Sequence, residues 1–197
     1  MKLYLAPGAC SLADHIALHE AGIEFERVTV DLRTKRTQDG RDYAEVNPKG
    51  YVPALVLDDG QTLTENVAIL DWIAHRAPRL KPTGELGHTR MLEMLAFIST
   101  EIHKQFGRVF FPTADAERDA AFEKLDGRFK YLAGRLEGDY LFGSEFTVPD
   151  AYLYVMLKWA RMKGRTLPDP LPAYMARVEA RPAVQLSLQH EGLDKKA

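Results

Sequence analysis

The sequence holds a single cysteine, Cys10, one residue before Ser11-Leu12-Ala13-Asp14. That tetrapeptide has the spacing of a capping box, in which a hydroxyl and a carboxylate serve the first free N–H groups of a helix. A thiol placed there sits at the positive end of the helix dipole, which favours thiolate and lowers the pKa. Asp14 works the other way, because a neighbouring carboxylate disfavours a second negative charge. Pro7-Gly8 just upstream stops a short apolar run and holds the turn after it, at the end of the sheet where α/β folds build their sites. The solitary thiol also excludes chemistry. No disulfide can close within the chain, and with Pro7 and Ala13 at the two possible positions no Cys-x-x-Cys pair exists. No cysteine cluster offers a structural zinc site, so no metal is expected. Disulfide exchange would need a second thiol from outside the chain. Position alone leaves two readings open, a functional thiol and a small buried hydrophobe.

The elements that must hold this residue come from a chain of 197 residues with 26 Lys and Arg against 28 Asp and Glu, a net charge of −2. With 46% hydrophobic residues it can bury a full core as one domain or two small ones. Near-neutral charge and a pI of about 6.3 argue against a general nucleic-acid binder. The longest apolar run, Ala151 to Leu157, falls far short of the roughly 20 residues that cross a bilayer, so no membrane association is expected. The first residues carry one cation and break at Pro7-Gly8, too early for a secretory h-region, which points to a cytoplasmic protein.

Up to residue 77 the chain alternates between strand and helix signals. Leu3 to Ala6 reads as a buried strand, Ser11 to Ala21 as a helix closed by Gly22, and Phe25 to Val30 as a second strand. Asp31 to Lys49 has no clear period beyond a possible short helix at 41–46. Residues 55–57 and 61–63 flank Asp58-Asp59-Gly60 as a hairpin, and Asn66 to Arg76 reads as a helix burying Ile69, Leu70 and Ile73. Pro78, Pro82, Gly84 and Gly87 then mark a linker over 78–87, with domains at 1–77 and 88–197. Beyond it only helical periods remain. Met91, Leu95, Ile98, Ile102, Phe106 and Val109 imply one long helix, and Phe122 to Leu136 a second. Thr147-Val148-Pro149-Asp150 caps a third, apolar on nearly every face from Ala151 to Ala160 and hence a buried centre. Two short helices, 173–180 and 183–189, follow around Arg181-Pro182.

Five segments in register carry a resemblance: Tyr4-x-x-Pro7-Gly8-Ala9-Cys10-Ser11, Asp31 to Lys35, Asn47 to Leu55, Leu63-Thr64-Glu65, and Thr100 to Lys104. Over its whole length the chain resembles the bacterial beta-class glutathione transferases. The resemblance implies an α/β plus all-α protein, a thioredoxin-like N-terminal domain (βαβαββα) followed by an all-helical C-terminal domain, assembled as a homodimer. It implies glutathione as co-substrate, with Cys10 facing its sulfur. Val52 would pair through its backbone with the cysteinyl part of the tripeptide, presented by Pro53 as a cis-proline. Glu65 would hold the γ-glutamyl ammonium and Lys35 the glycyl carboxylate. Asn66 stands where the family commonly has Ser or Gly, and its amide would donate to the γ-glutamyl carboxylate. His103 would lie close to the sulfur, and Thr100 would contribute from the neighbouring subunit. Ala96 replaces an Asn of the relatives, which removes one contact, and Asp14 replaces a common Pro.

Part of this has support in the residues themselves. Ala96, Thr100, His103 and Gly107 step by four, three and four, a small and polar stripe that can line a cleft, although a solvated face beside Glu101 and Lys104 would look the same. Phe106, Phe110 and Trp159 are the expected lining of a hydrophobic electrophile site. Tyr4 and Ser11 are runners-up for the sulfur contact, Tyr4 otherwise packing in its strand and Ser11 capping its helix. The expected activity is conjugation of glutathione to hydrophobic electrophiles. Two rivals stand beside it: thiol–disulfide reductase, peroxidase or reductive dehalogenase chemistry through a Cys10–glutathione mixed disulfide, and a non-catalytic ligand-binding protein on the same fold.

Overall fold

A computed structural model describes residues 1–136 and 138–194. The chain forms two compact units, Met1–Pro78 joined by the C-terminal stretch from Ala180, and Arg79–Glu179. The sequence division at 88 counted every later helix with the helical domain; the last one instead groups with the N-terminal unit.

In the first unit a five-stranded sheet runs in the order β3-β2-β1-β4-β5, with β1 at Lys2–Leu5, β2 at Glu26–Asp31, β3 at Arg36–Thr37, β4 at Ala54–Val56 and β5 at Thr62–Thr64. β1 and β2 are parallel, as their connecting helix α1 (Leu12–Ala21) requires, and β4 pairs antiparallel with both β1 and β5. Gly22 ends α1 at φ 70°, the left-handed conformation that glycine adopts without a Cβ penalty. β3 is absent from the sequence reading because two residues carry no period. The possible helix near 41–46 is a single 3-10 turn, Tyr43–Glu45, with the Asp42 carboxylate accepting from Ala44 N–H at 3.0 Å. Helix α2 (Asn66–Arg76) buries Ile69, Leu70 and Ile73 as its spacing predicts, and packs on α1.

The last helix, α8 (Pro182–His190), packs on the other flank of α1. The Arg181 guanidinium grips the Glu20 carboxylate through Nε at 2.6 Å and Nη2 at 2.9 Å. Just past α8, the Glu191 carboxylate accepts from Gly8 N–H and pairs with His15 Nδ1, both at 2.8 Å.

The second unit contains α3 (Gly87–Phe97), α4 (Lys104–Phe110), α5 (Asp115–Ala133), α6 (Val148–Met162) and α7 (Leu171–Glu179). A π-helical turn, Ile98–His103, joins α3 to α4, so the long helix expected from the apolar spacing has a wider turn at its middle. Ile98, Ile102 and Phe106 stay fully buried through it, while Thr100 is exposed and His103 half-buried. Such turns gather at functional positions in other helices. α6 is buried on every side from Val148 to Leu157, as its continuous apolarity requires. Its capping box forms: Asp150 accepts from Thr147 N–H at 2.8 Å and from the Thr147 hydroxyl at 2.7 Å. Among the described residues no helix is long and apolar enough to cross a membrane.

Candidate functional site

The turn between β1 and α1 places Cys10, but not as a cap-stabilised thiolate. Leu12 N–H donates to Ala9 C=O at 3.1 Å and Ala13 N–H to Cys10 C=O at 3.0 Å, so helical winding starts before Ser11. Ser11 is already helical (φ −58°, ψ −16°) and fully buried. Its hydroxyl turns back to the strand, accepting from Ala6 N–H at 3.2 Å, and no capping box forms. That bond engages the hydroxyl proposed as a runner-up sulfur contact. Tyr4, the other runner-up, is buried against Tyr43 with ring centroids 5.8 Å apart.

Cys10 keeps part of its surface open, and its thiol donates to Val52 C=O at 3.4 Å. Protein packs densely enough around the sulfur that desolvation, followed by the Asp14 carboxyl, pushes the thiol up to about 12. The expected lowering is therefore reversed: loss of water outweighs the helix N–H groups. Asp14 is itself fully buried, and burial holds its carboxyl well above the usual range.

Asn66 departs from expectation in the same way. Its side-chain amide donates one proton to Cys10 C=O at 2.9 Å and the other to Asp14 Oδ2 at 2.8 Å. The two amide protons tie α2 to the turn before α1 and to α1 itself, and the donors left at this helix start are backbone N–H groups.

The remaining expected residues of this unit surround the same loop. The Val52–Pro53 bond is cis. Glu65, immediately before α2, has φ 73° and ψ 125°, a conformation that non-glycine residues rarely hold and that recurs at binding sites. Its half-exposed carboxylate accepts from the Tyr51 hydroxyl at 2.7 Å and from Lys49 Nζ, and these bonds, Lys49 first, hold its pKa below the usual range. Lys35 Nζ donates to Gly50 C=O at 2.7 Å on the same loop. The loop is tied down from behind, where Asn47 Nδ2 and the Tyr43 hydroxyl both donate to Tyr51 C=O, at 2.7 and 3.0 Å. Cys10, Val52 and Asn66 are thus joined through hydrogen bonds, Glu65 is held by Lys49 and Tyr51 of the same loop, and Lys35 lies at the edge. Lys49, Tyr51 and Asn47 were missed as functional residues, although all three lie inside the Asn47–Leu55 segment; nothing in their spacing says that Lys49 reaches a residue sixteen positions on.

In the helical unit a second surface forms. Thr100, His103, Gly107, Phe110, Phe111 and Trp159 line a cleft of about 540 Å³. The Trp159 ring meets His103 edge-on at 5.3 Å and Phe110 at 5.2 Å. His103 Nδ1 pairs with the Tyr152 hydroxyl at 2.6 Å, and burial pushes the imidazole down to about 4, so it is neutral at physiological pH. Tyr152 carried no sequence signal beyond its place in an apolar helix. Phe106 is fully buried and backs the cleft through Trp159 instead of lining it, whereas Phe111, 84% exposed, joins the lining unannounced. Thr100 uses its hydroxyl on Ala96 C=O at 2.9 Å.

Residues 9–76 match the family model described as "Glutathione S-transferase, N-terminal domain", and residues 89–182 the one described as "Glutathione S-transferase, C-terminal domain". The chain belongs to the glutathione S-transferase family. It is 42% identical to glutathione S-transferase GstA of Escherichia coli O157:H7, over 98% of this chain and all of that protein. Among solved structures it is similar to a sphingomonad glutathione S-transferase complexed with glutathione (TM-score 0.92, 46% identity, 98% and 100% of the two chains). The bacterial beta-class enzyme of Sphingomonas chungbukensis matches equally well (TM-score 0.92, 44% identity, 98% and 100% coverage). The likeness to the beta class read from the five segments thus extends through the whole chain.

Proposed function

We propose that this protein conjugates glutathione to hydrophobic electrophiles, and that its thiol acts as a hydrogen-bond donor to the glutathione sulfur. The observation that carries the reading is the cluster of Cys10, the Val52 backbone and the ionised Glu65 carboxylate on one surface of the N-terminal unit. Glu65 takes the γ-glutamyl ammonium, the α2 N-terminal N–H groups its carboxylate, and Lys35 the glycyl carboxylate. With its pKa raised, Cys10 stays protonated near neutral pH and offers S–H to a thiolate on the ligand. That thiolate, its proton lost to solvent, attacks the electrophilic carbon, a C–S bond forms and the leaving group departs with its electron pair. The aromatic cleft of the helical unit receives the electrophile, with neutral His103 on its wall. Homodimer assembly, a Thr100 contact from the second subunit and a cytoplasmic location complete the reading on the strength of the family likeness.

The raised thiol separates this from mixed-disulfide chemistry, which needs a thiolate at Cys10. Cys10→Ser keeps a donor and should retain most conjugating activity. Cys10→Ala should lose about tenfold to a hundredfold, the worth of one hydrogen bond to a charged sulfur. In parallel, alkylation of Cys10 by iodoacetamide should show no plateau up to pH 9. If serine proves as inactive as alanine and oxidised glutathione rapidly adds one adduct to the native chain, the disulfide mechanism takes its place.

Gly107 provides a separate test of the cleft. A Cβ there meets nothing within 4 Å, so a side chain at this position starts into open space, and Gly107→Trp narrows the cleft that Gly107 lines. Turnover of a bulky aromatic electrophile should fall at least about tenfold with glutathione affinity unchanged. Unchanged turnover would remove the electrophile from this cleft.

A further inference from the structure

Besides His75 on α2, the N-terminal unit carries three imidazoles, clustered together, that the proposed activity does not use. His15 and His19 lie one turn apart on the same face of α1, and His190 ends α8. One ligand atom from each lies within 4.8 Å of the other two. The rings lie close as well, with His15 and His19 centroids 4.7 Å apart and His19 and His190 5.3 Å apart.

The hydrogen bonds around two of these rings fix their protons. His15 Nδ1 lies 2.8 Å from Glu191 Oε1, and since a carboxylate only accepts, Nδ1 carries the proton. The remaining nitrogen, Nε2, is left with a bare lone pair. It belongs to a fully buried side chain and has no hydrogen-bond partner. A buried acceptor without a donor costs free energy that a native fold normally avoids. His19 repeats the arrangement. The Ser187 hydroxyl gives its one proton to Ala183 C=O at 2.8 Å, so at 2.9 Å it accepts from His19 Nδ1–H, and His19 Nε2 is likewise unprotonated. Both rings have the tautomer of a metal-ligating histidine, with Nδ1 held by a carboxylate or a hydroxyl and Nε2 carrying the lone pair.

We propose that His15, His19 and His190 form a binding site for a divalent transition-metal ion of the imidazole-preferring class, with Glu191 and Ser187 orienting the first two ligands. Two histidines four apart on a helix form the usual bidentate half of such a site, and a third nitrogen with one open position completes a tetrahedral shell. Metal–nitrogen bonds of about 2.0–2.1 Å require the nitrogens to draw together, which rotation of the half-buried His19 and exposed His190 rings supplies. Phe25 packs on both α1 rings, edge-on to His15 at 5.6 Å. A groove reaching His19 beside Glu24, Glu26 and Asp58 gives the ion an entry path lined with carboxylates. Arg27 donates to His190 C=O at 3.4 Å and brings a positive charge near the cluster, while the Glu191 carboxylate on His15 brings a negative one.

The test is calorimetric titration of the full-length, tag-free, chelator-washed protein with Zn²⁺. One ion should bind per chain with micromolar or tighter affinity, and the melting temperature should rise, since the ligands come from α1 and α8. His190→Ala removes an exposed side chain and should leave metal-free stability unchanged while weakening Zn²⁺ at least about tenfold; Glu191→Gln should weaken it about tenfold to a hundredfold. Cys10→Ser should bind as the native chain does. Absence of a one-to-one site, or Zn²⁺ affinity undiminished in both His190→Ala and His19→Ala, overturns the proposal.

Discussion

Replacing Asp150 by alanine should cost about 3–5 kcal/mol of stability, read as a lower midpoint in urea or thermal unfolding. The carboxylate is fully buried and accepts from Leu141 N–H (2.9 Å), Thr147 N–H (2.8 Å), the Thr147 hydroxyl (2.7 Å) and the Tyr174 hydroxyl (2.8 Å). These donors come from the loop before α6, the α6 cap and α7, so one side chain joins three segments. Removing it strands buried donors, each worth about 1–3 kcal/mol when unsatisfied. A loss below about 1 kcal/mol, the size of an exposed cap, would mean that water replaces the carboxylate.

The second large effect belongs to the ligand site. Glu65→Gln should weaken glutathione about tenfold to a hundredfold, because a hydrogen bond to a charged group is worth about 1.5–3 kcal/mol and each 1.4 kcal/mol is a factor of ten. The substitution also frees the Lys49 ammonium, now held by this carboxylate, to repel the incoming γ-glutamyl ammonium. Calorimetry with glutathione measures the loss. A glutathione analogue lacking the α-amino group should bind native and variant chains alike. Equal loss for both ligands would make Glu65 a residue that shapes the loop without meeting the ammonium.

Two capping patterns show what was legible in the sequence. Thr147-x-x-Asp150 and Ser11-x-x-Asp14 look alike, yet only the first closes. Thr147 enters α6 from extended backbone (φ −128°, ψ 165°), which aims its N–H at Asp150, whereas Ser11 is already wound into the helix. The residue types are local, but the direction of entry is set by the preceding turn. The same limit explains Cys10. Its place at a helix start is plain in the sequence, and the desolvation that outweighs the dipole comes from chain folded over it. The alternation of strands and helices was readable from short apolar runs bounded by turn residues, and the buried α6 from its unbroken apolarity, while the thioredoxin-like character came from the family likeness. β3, the π turn and the packing of α8 carry no period. The positions proposed to face the tripeptide came from the family likeness, while Lys49 and Tyr51, which brace Glu65, required the fold.

The return of α8 to the sheet-bearing unit has a consequence for biosynthesis. The half made first lacks this helix until the stretch from Ala180 has left the ribosome, after the whole of Arg79–Glu179. Until then the α8-facing flank of α1, with Glu20 awaiting Arg181 and His15 awaiting Glu191, is bare to solvent and chaperones. The helical half, encoded between these two pieces, can mature earlier, so the order of completion during translation runs against the order of synthesis.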